Sequence, residues 1–106
     1  MIIEFVCISV SGSKRQELGR AFASLVGPLE VQPGCLSCRL FRAWPTDDRL
    51  LLETRWENQE GLVRHLQSDT YPRLLLLMEL SASPPSVEFF TVVEARGLDL
   101  VETARR

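Results

Sequence analysis

One lysine, one histidine and one tyrosine are all that this 106-residue chain carries of those three residue types, and it has two tryptophans. Twelve basic residues stand against fourteen acidic ones, for a net charge of −2. No cluster of Lys or Arg forms a basic face, and the lone lysine, Lys14, does not make one, so a nucleic-acid partner is not expected. No apolar run approaches the roughly 20 residues needed to cross a bilayer; the longest block is Leu74 to Met78. No membrane partner is expected. Met1 runs straight into Ile2-Ile3-Glu4-Phe5-Val6, with no secretory pattern. The three cysteines are an odd count, which suits a reducing cytoplasm better than a disulfide scaffold. There is no Gly-rich phosphate loop, no GxSxG and no HExxH, so nothing points to a nucleotide, flavin or metal cofactor.

What is present fits one small globular domain over residues 1–106, with 45% hydrophobic and 25% charged residues. Residues 2–10 are rich in β-formers and read as a first strand. Ser13 with Gln16 fits a capping box. Leu18, Phe22, Leu25, Val26 and Leu29 then recur at helical spacing, and Gly27-Pro28 should weaken or kink that helix near its end. Pro33-Gly34 marks a turn before a second strand, 35–43. The loop Pro45-Thr46-Asp47-Asp48 leads into a third strand, 49–56. Asn58 is placed to cap a short helix carrying Leu62, Val63 and Leu66. Ser68-Asp69 opens a further helical piece with Pro72 in its first turn. Residues 86–95 make a fourth strand. The tail, 97–106, could form a short edge strand or pack on a partner.

The order β-α-β-β-α-β is the ferredoxin-like, α+β arrangement. Its helices cover one sheet face. Leu50-Leu51-Leu52, Phe89-Phe90 and Val92-Val93 put apolar groups on both faces. An open apolar face would be sticky, so a second copy of the chain is the expected cover, giving a homodimer.

Few residues offer chemistry. Cys35 and Cys38 form a CxxC, but positions i and i+3 of a regular strand point to opposite faces, so small buried side chains fit better than a redox pair or half a zinc site. Cys7 and His65 lack the paired local spacing that would complete such a site, and no metal is expected. His65 can take or give a proton near neutrality, or donate to a developing oxyanion. It can equally be a histidine that only holds structure. Trp56 and Tyr71 can line a pocket for a flat ligand or plug the core. Glu53 sits inside an apolar strand, where a carboxylate needs a partner. Arg55, on the same face by parity, and Arg39 are the candidates, as an interface ion pair or around a catalytic base.

The run Gln32-Pro33-Gly34-Cys35, Asp47-Asp48, Glu53-Thr54-Arg55-Trp56, His65-Leu66-Gln67-Ser68 and Tyr71 resembles the antibiotic biosynthesis monooxygenase family over about 40 residues. The resemblance implies a dimeric α+β barrel. It also implies members that oxidise phenols with dioxygen and no cofactor, members that degrade haem, and members that process small signalling or quinone-like molecules. The chain departs from the haem-degrading pattern, with Cys7, His65 and Leu74-Leu75-Leu76 at the positions those members use. It carries Gln32 where an acidic residue is common and Cys38 where a tyrosine is common. The expected activity is therefore a cofactor-independent oxidation of a small aromatic or quinol-type molecule, with His65, Trp56 and Tyr71 at the site. The alternative is a non-catalytic dimeric module that binds a small ligand or merely assembles.

Overall fold

The computed structural model covers residues 1–106. Strand β1 (Ile2–Ser9) is followed by a 3₁₀ turn, Gly12–Lys14, and helix α1 (Arg15–Glu30). Strands β2 (Cys35–Arg42) and β3 (Arg49–Trp56) form a hairpin. Helices α2 (Gln59–Gln67) and α3 (Thr70–Met78), strand β4 (Ser86–Thr91) and helix α4 (Leu98–Ala104) complete the chain. The sheet order is β2-β3-β1-β4, antiparallel throughout, which is the ferredoxin-like topology.

Alternation in β1 decides which face is which. Ile2, Glu4, Val6 and Ile8 are buried beneath the helices, while Ile3, Phe5, Cys7 and Ser9 are half-buried on the opposite face. Leu18, Phe22, Leu25 and Leu29 of α1, spaced three and four apart, pack with Val6, Ile8, Leu50, Leu52, Leu74 and Met78 into the main core. Each such side chain contributes on the order of 1.5–3 kcal/mol on burial. The outer face has no cover. Phe41 and Phe90 on that face are each more than 40% exposed, and Phe5 meets Phe90 edge-to-face at 5.5 Å.

Several expected details change. The capping box at Ser13 does not form: α1 begins at Arg15, its N-cap is Lys14, and no side chain caps it. Ser13 lies inside the 3₁₀ turn Gly12–Lys14, closed by Lys14 N–H donating to Ser11 O, and so is not at the N-cap position. Pro28 lies inside α1, near its end at Glu30; so close to the C-terminus, it removes one hydrogen bond from a helix already held by its buried face. The tail is no edge strand. It is helix α4, with Leu98, Leu100 and Val101 all exposed, and β4 ends at Thr91 rather than Ala95.

The parity argument for the cysteines also fails. A β-bulge between Cys35 and Ser37 lets Cys35 oppose Trp56 and Cys38 oppose Thr54, two residues of the same face. Both thiols therefore turn toward the core, Cys38 within the main cluster and Cys35 packed against it. Both are free.

The turn that leads into β2 depends on glycine. Gly34 has φ of +84°, a left-handed conformation costly for any residue with a Cβ. A Cβ built there would also lie 3.2 Å from the Cα of Gly61 in α2. The Pro33-Gly34 turn and the first turn of α2 thus touch backbone to backbone. Asn58 caps that helix as expected, its Oδ1 accepting from Gly61 N–H at 3.0 Å.

Candidate functional site

Between α2, α3 and the inner sheet face, the three residues expected at the site come together. Trp56, at the end of β3, is 0% exposed; His65, in the last turn of α2, is 1% exposed; and Tyr71, in the first turn of α3, is 9% exposed. The indole and imidazole rings stack at 4.4 Å and 19°. The phenol ring meets His65 edge-on at 5.0 Å.

Their common partner is Glu4, a residue the sequence reading passed over. Its side chain is 0% exposed. Oε1 accepts from Thr54 Oγ1 at 3.0 Å and faces His65 Nε2 at 2.8 Å, and Oε2 accepts from Tyr71 OH at 2.9 Å. The signal was present, because Glu4 interrupts the apolar run Ile2-Ile3-Glu4-Phe5-Val6 on the same parity as Ile2 and Val6. A buried carboxylate there demands hydrogen-bonding partners.

Proton positions follow from counting donors. The Trp56 Nε1–H can only donate. It does so to Thr54 Oγ1 at 2.8 Å, so the Thr54 hydroxyl proton goes to Glu4. On the other side, Ser68 Oγ donates to the His65 carbonyl at 2.7 Å, and therefore accepts from Gln32 Nε2 at 3.2 Å. That orientation aims Gln32 Oε1 at His65 Nδ1, 3.1 Å away. His65 Nδ1 is thereby assigned a proton, and Nε2 faces a carboxylate that two hydroxyls already solvate. His65 Nε2 and Glu4 Oε1 share one proton between them, and Thr54, His65 and Tyr71 converge on that single carboxyl group. Burial first, and then the Glu4 carboxylate beside it, push the Tyr71 hydroxyl well above its ordinary range, so it stays a neutral donor.

This arrangement has one carboxyl group, Glu4, met by Thr54, His65 and Tyr71 and flanked by an aromatic wall. It can take a proton at Glu4 and hold an oxyanion between His65 and Tyr71. It is also sealed. None of the residues of the network lines any of the chain's three cavities.

The remaining candidates lie elsewhere. Glu53 is on the outer sheet face, where Arg55 Nε donates to its Oε1 at 2.9 Å; Arg39 stands opposite it in the register. Glu53 is thus a buried, ion-paired group on the opposite face of the sheet from the network. Cys38 is pushed up to about 12, by burial first and by neighbouring negative charge after it. Cys35 is also raised by burial. Such thiols are poor nucleophiles. No group of three or more His, Cys, Asp or Glu side chains is placed to hold a metal ion, and no helix is long and apolar enough to cross a membrane.

Comparison with known proteins places this geometry. Residues 1–74 match the family model described as antibiotic biosynthesis monooxygenase. No curated protein sequence matches the chain. Among solved structures, Rv0793 from Mycobacterium tuberculosis superposes with a TM-score of 0.79 at 18% identity, over 91% of this chain and 98% of its own. A Deinococcus radiodurans protein provisionally assigned as an antibiotic biosynthesis monooxygenase reaches 0.81 at 17% identity, over 92% and 97%. SnoaB from Streptomyces nogalater, a cofactor-independent oxygenase, reaches 0.72 at 23% identity, over 89% and 95%. These likenesses establish the fold, and the family match covers well over half of the 106 residues. A ferredoxin-like sheet that carries its aromatic and histidine side chains under α2 and α3 thus belongs, in this chain, to the antibiotic biosynthesis monooxygenase family.

Proposed function

We propose that the chain is a cofactor-independent monooxygenase acting on a small phenol or quinol, and that the Glu4–His65–Tyr71 network is its reaction centre. The observation that carries this reading is the convergence of donors on one buried carboxylate beside a stacked indole. In the reaction, Glu4 takes the phenolic proton. His65 N–H and Tyr71 O–H then donate to the phenolate oxygen, in a dry site where such hydrogen bonds are strong. The electron-rich anion gives electrons to dioxygen and a C–O bond forms. The peroxide anion takes back the proton held by Glu4, and the hydroperoxide loses water together with the hydrogen of the oxidised carbon to leave a carbonyl, so one oxygen atom enters the product and one leaves as water. Trp56 supplies the flat wall against which an aromatic ring would lie.

The reading includes a homodimer formed through the outer sheet faces. Ile3, Phe5, Leu51 and Phe90 share that face, and within one chain nothing covers them. The free cysteines suit a reducing cytoplasm. Light scattering should give twice the chain mass of 12.0 kDa, and a folded monomer at micromolar concentration would contradict the dimer.

One observation favours a second reading, a non-catalytic small-ligand or assembly module. The network is sealed and could serve only as a polar clamp between α2, α3 and the sheet. Oxygen uptake with anthrones, naphthols and hydroquinones decides between the two. The catalytic reading expects turnover that falls by about 10²-fold or more in His65→Gln, per folded molecule and with the dimer intact. No uptake with any of these compounds, or a rate unchanged by that substitution, favours the clamp.

A further inference from the structure

Gln32 belongs to the buried network but has no part in the reaction above. It stands in the turn between α1 and β2, half-buried at the rim of the network. Its backbone is held on both sides: its N–H donates to Leu29 O at 3.2 Å, and its carbonyl accepts from Cys35 N–H at 3.0 Å. From that fixed turn the side chain reaches across to the C-terminal end of α2. There the Ser68 backbone N–H and hydroxyl both donate to the His65 carbonyl, at 3.1 and 2.7 Å. The Ser68 oxygen is left as an acceptor, and Gln32 Nε2–H donates to it at 3.2 Å. The amide is thereby turned with its oxygen on His65 Nδ1, 3.1 Å away. An amide oxygen can only accept, so it holds the imidazole with a proton on Nδ1.

The charge of the centre follows from that contact. Gln32 and Glu4 are the two side chains hydrogen-bonded to the ring, and only Glu4 can carry a charge. With a proton on Nδ1 and one proton shared between Nε2 and Glu4, the His65–Glu4 pair is neutral as a unit. When the phenol O–H breaks, its proton goes to Glu4, and Nε2–H is free to donate to the phenolate oxygen. The pair then carries one positive charge against the one negative charge of the phenolate, so no net charge is created where desolvation makes charge costly. A carboxylate in place of the Gln32 amide would accept the same Nδ1–H but would start the centre one charge more negative. A side chain with no acceptor would release the Nδ1 proton and commit Nε2–H to Glu4. Either way the phenolate would form without a compensating cation.

We propose that Gln32 is a positioning residue that sets both the tautomer of His65 and the charge of the reaction centre. Its effect on catalysis rests on the function proposed above, whereas its effect on the ring does not.

The test uses the chain's single histidine. Long-range proton–nitrogen correlation spectra of the intact, nitrogen-labelled protein near neutral pH read the protonation of both ring nitrogens without ambiguity. The wild type is expected to show Nδ1 protonated. Gln32→Met, which keeps the length of the side chain and removes its amide, should move Nδ1 into the range of an unprotonated nitrogen. Gln32→Glu should keep Nδ1 protonated and lock a second proton on Nε2. Position 32 is half-buried in a turn, so both variants are expected to fold, and the wild-type spectrum requires no variant. In oxygen uptake both substitutions should lower kcat by about tenfold or more per folded molecule, with KM changed by less. A wild-type Nδ1 without a proton, or a ring unaltered in Gln32→Met, overturns the positioning role. A ring altered as expected with kcat unchanged overturns the part of Gln32 in catalysis. If the wild type oxidises none of the compounds, the proposed function fails, while the ring spectra still decide whether Gln32 sets the tautomer of His65.

Discussion

Replacing His65 by alanine and Glu4 by glutamine, singly and together, tests whether the buried pair is ionic. In His65→Ala the Glu4 carboxylate, 0% exposed, keeps the Thr54 and Tyr71 hydroxyls but loses its cation. Breaking a buried pair from one side costs about 3–5 kcal/mol. That is a large share of the roughly 5–15 kcal/mol available to a domain of ordinary stability. Glu4→Gln keeps the shape and removes the charge, so about 1–2 kcal/mol is expected. Independent effects would sum to about 4–7 kcal/mol in the double variant. An ionic pair predicts otherwise, because the double variant buries no charge. Its cost should be about 2–4 kcal/mol, with a coupling near 2 kcal/mol or more. Denaturant unfolding, followed by far-UV circular dichroism and tryptophan fluorescence, measures all three variants. In melting temperature the coupling corresponds to roughly 8–16 °C. A double variant within about 0.5 kcal/mol of the sum of the singles would refute an ionic pair.

Three further outcomes are expected. Gly34→Ala should destabilise by about 1–3 kcal/mol in the same unfolding assay, since the alanine must hold a φ of +84° and press on the Cα of Gly61; a neutral effect would show that the turn relaxes freely. Native Cys38 should resist a thiol reagent at pH 8 and react once denaturant is added, because its thiol is buried and pushed up to about 12. Stability should fall as pH rises: the folded chain keeps the Cys38 and Tyr71 protons that the unfolded chain releases above about 8.5 and 10, so each group contributes a loss of about 1.4 kcal/mol per pH unit over its window. Cys38→Ala should flatten the loss between about pH 9 and 10, where the tyrosine does not yet titrate, and an unchanged slope there would reject the assignment.

Much of the fold was legible because its elements announce themselves locally. The 18/22/25/29 stripe specified α1, Asn58 specified the start of α2, and the β-α-β-β-α-β order specified the topology. What was not legible depends on single residues whose effect is not local. An extra residue at the start of β2 reverses the parity of Cys35 relative to Cys38, and the Pro33-Gly34 turn before it marks where the strand begins without marking the bulge. The tail reads equally as strand or helix, because ten residues with three apolar side chains carry little period. At the site, His65, Trp56 and Tyr71 stood out by rarity and by resemblance. Glu4 did not, and Gln32 stood out only as a departure from the family's acidic residue, although both complete the hydrogen bonding of His65. Glu53 drew attention instead, being the same residue type in a similar strand. Only the sheet faces separate them, since Glu4 points under the helices and Glu53 away from them.

The seal over Trp56 and His65 has a kinetic meaning. A ligand cannot reach either ring until α2 and α3 part from the sheet, so any association with the network is gated by an opening step. Its observed rate should climb with ligand concentration and then level off at the rate of opening. The apparent affinity is the intrinsic one multiplied by the open fraction, so a conformer populated at about 1% weakens binding about a hundredfold. A substitution that loosens the anchorage of α2 without touching the rings, such as removal of the Asn58 cap, would then tighten apparent binding while lowering stability, with the two quantities moving in opposite directions.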